Sequence, residues 1–225
     1  MSETVFLQEM EATIAFFDMR RFSVMSAQLG PVDLGVALRR YYEHVEEGII
    51  QSGGRVVKFM SDGVLALFMA LGQKDHAASA LQMLRGLEKR VGSWLEENAR
   101  MGLPVMVYSV GVASGGVLFG ELGTARQRAY DVLGNPVTTA IRLSRLATVR
   151  GVPHLVASGT IQALLDSARV IEVEGAELSG KMVRLYRLLA EGEPGAVGGV
   201  GEGAKPREGR TGASCAQGEA VQDKS

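Results

Sequence analysis

Two acidic residues and a lysine stand where chemistry could take place. Asp18 closes the apolar run "ATIAFFDM" (12–19), and Asp62 lies in the turn "SDG" between the apolar runs "RVVKFM" and "VLALFM". Two carboxylates that meet beside backbone carbonyls form a hard oxygen site suited to Mg²⁺ or Mn²⁺. A pair of such ions promotes in-line displacement at phosphorus. Spacing alone leaves a plainer alternative open, in which Lys58 and Asp62 form a surface ion pair that contributes about 0–1 kcal/mol.

The elements around these residues indicate how the acids could meet. The run at 12–19 is typical of a buried central strand, and "SDG" predicts a hairpin between the two flanking runs. Apolar residues at helical spacing predict one helix after "GP" at 30–31 and a second from Asp75 to about Asn98. With a further strand at 105–113, the order is β-α-β-β-α-β. This order favours a ferredoxin-like antiparallel sheet with both helices on one face, in which the hairpin lies beside the first strand.

The chain continues beyond this core before its composition changes. We interpret "GVLFGELG" (116–123) as hairpin-like, "PVTTAIRLSRLA" (136–147) as a helix started by proline, and "HLVAS", "TIQALLD", "ARVIEV" and "MVRLYRLL" as strands and a small helix. The predicted fold is therefore an α+β domain over residues 1–190, with additional carboxyl-terminal strands and helices. From Glu191 onward the chain is Gly-rich and almost lacks large apolar residues, which predicts a disordered tail at 191–225.

Composition argues against several classes of protein. With 24 Lys and Arg against 25 Asp and Glu, the formal charge is -1, so no global basic field indicates a nucleic-acid or membrane partner. The longest apolar run, "VLALFMAL" (64–71), is far below the roughly 20 residues of a spanning helix. The amino terminus does not resemble a signal peptide, and the single Cys215 favours a reducing cytoplasm. The three histidines lack the spacing of zinc ligands.

Three segments resemble the signature blocks of the class III nucleotidyl cyclase catalytic domain. They are "TIAFFDMRRFSVMS", "GGRVVKFMSDGVLALF" and "YDVLGNPVTTAIRLSRLA", in the family's order and at similar separations, and the likeness spans roughly residues 10–190. The resemblance implies that ATP or GTP is cyclised to the 3′,5′-cyclic monophosphate with release of pyrophosphate. It also implies two metal ions, Mg²⁺ or Mn²⁺, bound by Asp18 and Asp62, with the main-chain carbonyl of Met19 as an additional ligand.

The resemblance also gives Lys58 a role separate from that of Asp62. In adenylate-forming relatives, the lysine four residues before the second metal acid pairs with the aspartate of a "YD" motif to read adenine, and these positions are Lys58 and Asp131. Adenine offers an acceptor at N1 and a donor at N6, which match an ammonium and a carboxylate. Guanylate-forming relatives place Glu and a small residue there. We therefore expect ATP as the substrate.

Three more residues match family positions that act on the phosphates and the ribose. Arg142 matches the arginine that stabilises phosphate charge in the transition state. Lys181, in "LSGKMVRLYRL", is the candidate phosphate-binding lysine, although its spacing to Tyr186 is about one residue off. Thr138 replaces an asparagine that orients the ribose and its attacking 3′-oxygen, a departure that favours slow turnover.

Two further departures lie in the turns beside the acids. Arg21 replaces a glycine common after the first acid, and Ser61 replaces one before the second. These changes predict either a bulkier loop near the triphosphate or an added positive contact there. Neither removes a metal ligand.

The resemblance implies a homodimer with sites shared across its interface. Asp18 and Asp62 would come from one subunit, and Lys58, Asp131, Thr138 and Arg142 from the other. The leading prediction is an adenylate cyclase without an attached sensor, which leaves room for an unidentified regulatory protein. The alternative is a catalytically weak or inactive nucleotide-binding or regulatory homologue. A ferredoxin-like nucleic-acid binder is disfavoured, because a basic stripe and stacking aromatics are missing from the sequence.

Overall fold

A computed structural model describes residues 6–70, 75–124, 126–161, 169–178, 180–189 and 193. Its strands are β1 (Leu7–Met19), β2 (Arg55–Phe59), β3 (Gly63–Met69), β4 (Tyr108–Gly123), β5 (Arg128–Leu133), β6 (His154–Ala157), β7 (Val170–Leu178) and β8 (Lys181–Leu188). Its helices are α1 (Phe22–Gln28), α2 (Pro31–Gln51), α3 (His76–Arg100), α4 (Asn135–Arg150) and α5 (Ser158–Ile161). The tail predicted at 191–225 lies outside the described residues apart from Glu193, and so does most of "TIQALLD".

The strands of the described residues form one sheet in the order β2-β3-β1-β4-β6-β8-β7, with β5 paired to β4. The strand β1 is antiparallel to both β3 and β4, whereas β4 and β6 are parallel. The first four strands thus take the order β2-β3-β1-β4, with the long helices α2 and α3 and the short α1 between them in the chain, which is the ferredoxin-like arrangement. The predicted α+β fold is confirmed, and β5 to β8 extend it.

The sheet is covered on both faces. The helices α2 and α3 bury residues such as Tyr41 and Leu84 with Phe17 of β1, and α4 packs on the opposite face with Ile14 and Phe16. Alternate residues of β1 therefore serve two different cores. The helix α3 begins at Asp75, whose side chain accepts from the N–H groups of Ala77 and Ala78.

The structure corrects two sequence predictions. The strand predicted at 105–113 begins only at Tyr108, and it runs without a break to Gly123, so the segment 116–123 is not a hairpin of its own. This segment is held between β1 and β5, because Gly120 pairs with Leu7 on one side and Asp131 on the other. Because this segment pairs with a strand on each side, it stays extended although its glycines suggested a turn.

The short helix α1 was not predicted. It follows Arg21, which has φ 58° and ψ 27° in the left-handed region and makes no side-chain capping bond. This conformation explains why glycine suits the position, since glycine adopts positive φ without steric strain. Arg21 therefore bends the chain away from the end of β1.

Candidate active site

Asp18 and Asp62 are brought together by the pairing of β1 with β3. Asp18 stands opposite Gly63 in the register, and the Met19 N–H donates to the carbonyl oxygen of Asp62 over 2.7 Å. Partial burial raises the pKa of the Asp18 carboxyl, and the nearby charge of Asp62 raises it further. Such mutual repulsion is expected of two carboxylates that share one site.

Two arginines counteract this repulsion. The charges of Arg145, on α4, and of Arg20 lower the pKa of Asp18. The Arg20 guanidinium donates from Nε to the Ser109 hydroxyl over 2.5 Å and from Nη2 to the carbonyl of Val152. Arg20 therefore ties the end of β1 to β4 and to the turn after α4.

The acids and their surroundings fit divalent cations. Among the residues that the structure describes, there is no group of three or more His, Cys, Asp or Glu side chains that could hold a metal ion. The protein side chains at this site are therefore the two carboxylates of Asp18 and Asp62. Mg²⁺ is commonly bound by one or two carboxylates together with waters and substrate phosphates. The Tyr41 hydroxyl is fully buried and has no partner among the described residues. Burial raises its pKa well above the usual value, and neighbouring groups that include both acids raise it further.

Lys58 and Asp131 form an ion pair across two strands that are 73 residues apart. The Lys58 ammonium donates to Asp131 Oδ2 over 2.8 Å, from β2 to β5. The other oxygen, Oδ1, accepts from the Val132 N–H over 2.9 Å, which fixes the carboxylate. The ladder between β2 and β3 shifts register between Val56 and Lys58. The structure thus places together the two residues that the sequence assigned to one task.

The side chains of Thr138 and Arg142 lie on the exposed part of α4. The Thr138 hydroxyl donates to the carbonyl of Asn135 over 3.0 Å, within its own helix. Arg142 lies one turn further along the helix. The charge of Arg145, three residues after Arg142 on the same helix, lowers the pKa of Asp18.

Lys181 lies apart from the other candidates within one chain. It begins β8, is exposed, and pairs with Leu178 at the β7–β8 turn. The strands β7 and β2 are opposite edges of the main sheet, so one chain does not bring Lys181 beside Lys58.

The turn before Asp62 is fixed by α2. The Tyr42 hydroxyl approaches the carbonyls of Met60, at 2.5 Å, and Ser61, at 3.3 Å. The Ser61 hydroxyl lies 3.5 Å from Asp62 Oδ1. The serine that replaces a family glycine therefore adds a polar group beside the acid.

The histidines have structural partners. His44 stacks on Trp94 with ring centroids 4.3 Å apart, and its Nε2 lies 3.0 Å from the Tyr108 hydroxyl. His154 is buried and accepts from the Leu188 N–H at Nε2 over 2.9 Å, so its proton lies on Nδ1, 3.4 Å from Glu88 Oε1. Burial, followed by the charge of Arg187, lowers the pKa of His154 to about 3.

Sequence reasoning missed three residues beside the acids, namely Tyr41, Arg20 and Arg145. Arg20 is adjacent to Met19, and Arg145 lies three residues after Arg142 in the same motif. The proximity of Tyr41 and Arg145 to Asp18 depends on how α2 and α4 pack on the sheet. A local pattern does not contain that information.

A model of the adenylate and guanylate cyclase catalytic domain family matches residues 7–190. The chain is 28% identical over 153 residues to an adenylate cyclase of Anabaena cylindrica, covering 68% of this chain and 30% of that protein. It is 23% identical over 176 residues to adenylate cyclase 1 of Rhizobium meliloti, covering 78% and 26% respectively. The chain thus spans less than a third of the length of these relatives.

Solved structures share the fold. The adenylyl cyclase CyaB from P. aeruginosa aligns with a TM-score of 0.75 at 22% identity, covering 85% of this chain and all of that chain. The guanylyl cyclase Cya2 aligns with a TM-score of 0.71 at 24% identity, covering 83% and 95%. Within the described residues, no helix combines the length and apolarity needed to cross a membrane.

Proposed function

The chain belongs to the adenylate and guanylate cyclase catalytic domain family, and we propose that it is an adenylate cyclase that converts ATP to 3′,5′-cyclic AMP and pyrophosphate. In this reaction the ribose 3′-hydroxyl loses its proton and its oxygen bonds to the α-phosphorus. The bond from the α-phosphorus to the bridging oxygen of pyrophosphate breaks. The family match supports the reaction class, and the choice of nucleotide requires a separate argument.

The preference for ATP over GTP is inferred from the ion pair of Lys58 and Asp131. Held 2.8 Å apart, these side chains present a donor and an acceptor side by side, the pattern complementary to N1 and N6 of adenine. Guanine carries a donor at N1 and an acceptor at O6, so each group would face one of its own kind. A mispaired polar edge costs about 1–3 kcal/mol when it is shielded from water.

The acids Asp18 and Asp62, with the carbonyl of Met19, would hold two Mg²⁺ or Mn²⁺ ions. Such ions lower the pKa of the attacking hydroxyl and offset charge on the leaving group. Arg145 and Arg20 limit the repulsion between the acids before a cation binds. The protein's own part in the reaction is to place the acids, the base-reading pair and Arg142 in fixed positions.

We place each site across the two-fold interface of a homodimer. By the family resemblance, Arg142 acts on the phosphates held by the acids of the other subunit, whereas the charge of Arg145 acts on Asp18 of its own chain. A second copy of the chain would present Arg142, Thr138 and the base-reading pair to the acids of the first. A two-fold dimer then has two equivalent sites.

A second candidate function is a nucleotide-binding homologue with little activity. The Thr138 hydroxyl donates to Asn135 of its own helix, so it is engaged where relatives are expected to carry a carboxamide. Loss of one transition-state hydrogen bond commonly lowers the turnover number by about 100- to 1,000-fold. Nucleotide binding without measurable turnover would favour this candidate.

The test measures the products formed from ATP and from GTP by the purified chain with Mn²⁺. We expect cyclic AMP from ATP at a kcat/KM well above that for cyclic GMP from GTP. The double variant Lys58→Glu/Asp131→Ser should lose about 5- to 150-fold of this preference, the equivalent of about 1–3 kcal/mol. Arg55→Ala, on the same strand but outside the pair, should keep it.

Two results would contradict the proposal. An undiminished ATP preference in the double variant would show that the pair does not read the base. A lack of cyclic product from both nucleotides, with retained nucleotide binding, would favour the second candidate.

A further inference from the structure

A cavity of about 250 Å³ opens between α3, the start of β4 and the turn after α4. Its wall is mainly apolar, with Leu84, Leu87 and Val91 from α3 facing Val110 and Pro153. Four ionisable side chains also line it, namely Arg20, Glu88, Tyr108 and His154. An apolar cavity with a few convergent polar groups is the usual form of a small-molecule site.

Three of the four ionisable groups have their partners within the protein, and the Tyr108 hydroxyl lies 3.0 Å from His44 Nε2. His154 carries its proton on Nδ1 and lies 3.4 Å from Glu88 Oε1, while its other nitrogen accepts from the backbone. Burial raises the pKa of the Glu88 carboxyl, the charge of Arg187 lowers it, that of Glu193 raises it and that of Arg85 lowers it. Glu88 therefore has a hydrogen-bond donor and two cations nearby, while the pKa of its carboxyl stays raised.

Arg20 is compensated differently. Among the described residues its guanidinium donates only to neutral oxygens, those of Ser109 and Val152, and it forms no ion pair within 4.0 Å. A guanidinium has five N–H donors and matches a carboxylate in bidentate geometry. The charge of Arg20 also acts on Asp18, whose pKa it lowers, but its guanidinium keeps N–H donors to spare at the wall of the apolar cavity.

We propose that this cavity binds a small monocarboxylate with an apolar body, whose carboxylate pairs with Arg20 and whose hydrocarbon part lies against Leu84, Leu87 and Val91. The volume is below the roughly 300–1,000 Å³ of drug-sized sites, so the ligand is small. A single guanidinium in a cavity that Glu88 also lines suits one negative charge better than the two of a phosphate monoester. The apolar wall provides the remaining affinity through burial.

The cavity adjoins the segment that carries the candidate metal ligands. Arg20 directly follows Met19, and its own N–H donates to the Val107 carbonyl over 2.7 Å. A carboxylate on Arg20 would therefore contact the same segment from the side of α3. The inference does not depend on the proposed function, because binding is measured without nucleotide or metal.

The test uses hexanoate as the probe and the full chain, with binding followed by calorimetry and by thermal shift. We expect a dissociation constant of about a millimolar, which is typical for a ligand of this size. The neutral analogue hexanamide should bind at least tenfold more weakly. Arg20→Met should weaken hexanoate binding by at least tenfold, because it removes the positive charge and leaves an unbranched apolar side chain in its place.

A second pair of variants tests the contribution of the cavity separately from that of the Arg20 charge. Val91→Trp fills the cavity and leaves Arg20 in place, so it should abolish hexanoate binding, whereas Val91→Ala leaves the cavity open and should retain it. Circular dichroism and melting curves establish that each variant is folded. The proposal is overturned if hexanoate does not bind the wild-type chain, if hexanamide binds as well, or if Val91→Trp binds as tightly as Val91→Ala.

Discussion

The hydroxyl groups of two adjacent tyrosines on α2 differ in burial and in hydrogen bonding. Tyr41 is completely buried and its hydroxyl has no partner among the described residues, whereas the Tyr42 hydroxyl lies 2.5 Å from the carbonyl of Met60. A buried polar group without a partner costs about 1–3 kcal/mol, and a hydrogen bond contributes about 1 kcal/mol. These two side chains therefore allow a matched comparison.

We predict that Tyr41→Phe raises the free energy of unfolding of the metal-free protein by about 1 kcal/mol. Tyr42→Phe should lower it by a similar amount, since the bond to the turn before Asp62 is lost. Urea denaturation of both variants in a chelator measures the difference. Equal destabilisation by the two changes would mean that the Tyr41 hydroxyl has a partner in solution.

The low pKa of His154 in the folded protein predicts how the free energy of unfolding changes at acidic pH. Its pKa is about 3 in the folded protein against about 6.5 in the unfolded chain, so between these pH values the unfolded state binds more protons. The free energy of unfolding therefore rises with pH in this window. Acidification from pH 7 to pH 5 should lower it by about 2 kcal/mol through this residue.

The variant His154→Gln isolates this effect. Its free energy of unfolding should depend less on pH by about 1 kcal/mol per pH unit between pH 5 and pH 6, with little change in slope above pH 7.5. Chemical denaturation over this range is the measurement. If wild-type and variant slopes agree below pH 6, then His154 titrates normally in the folded state.

At the residue scale, the sequence could indicate the acids and the Lys58–Asp131 partnership because motifs in matching register contain them. Their roles in catalysis remain predictions, as does the role of Lys181. Arg145 and the cavity beside Arg20 could not be predicted, because both depend on the distance between elements far apart in the chain. Packing determines that distance, and no local pattern encodes it.

At the scale of elements, the contact between β4 and α4 depends on a single glycine. A Cβ atom built on Gly111 would lie 2.0 Å from the carbonyl oxygen of Ala140 and 2.5 Å from the backbone nitrogen of Ser144. Backbone atoms of a packed helix do not move as a flexible side chain does. The helix that carries Thr138 and Arg142 therefore rests directly on the sheet.

We predict that Gly111→Ala lowers the free energy of unfolding by roughly 2–3 kcal/mol, because α4 must move away from the sheet. Gly86→Ala is the control, since a Cβ there meets no atom within 4 Å and alanine is the better helix former. The control should raise stability by about 1 kcal/mol. A neutral Gly111→Ala variant would show that the contact is looser in solution.

Most elements could be predicted because their patterns agree with their tertiary settings. Strand β1, helices α2 and α3 and the hairpin of β2 and β3 combine clear periodicity with turn or capping residues. The 16-residue length of β4 could not be predicted, because its glycines suggest an end where two neighbouring strands continue the ladder. The helix α1 begins without a capping side chain, so the sequence contains no helix-start pattern that would have predicted it.

At the scale of the whole molecule, the shared-site proposal leads to a complementation experiment. Asp18→Ala and Arg142→Ala chains should each be inactive alone, since every site of either homodimer lacks a required group. In a mixed dimer one site has both the intact acids and the intact arginine, while the other carries both defects. With random exchange half of the dimers are mixed, and activity should recover to roughly a quarter of wild type.

Cyclic AMP formation measures this recovery after the two chains are mixed. Copurification of differently tagged chains first establishes that subunits exchange. Verified mixed dimers that stay as inactive as their parents would contradict a site shared between subunits.

The ion pair of Lys58 and Asp131 has a further consequence if it reads the base. Each group already satisfies the other at 2.8 Å, so the free protein contains an internal competitor for the adenine edge. ATP must insert its N1 and N6 between two groups that attract each other. A nucleotide with a mismatched edge faces the same closed pair and gains no hydrogen bonds in return. The protein would then discriminate between adenine and guanine before the triphosphate is positioned. The ion pair would separate only for a base that can form hydrogen bonds with both Lys58 and Asp131.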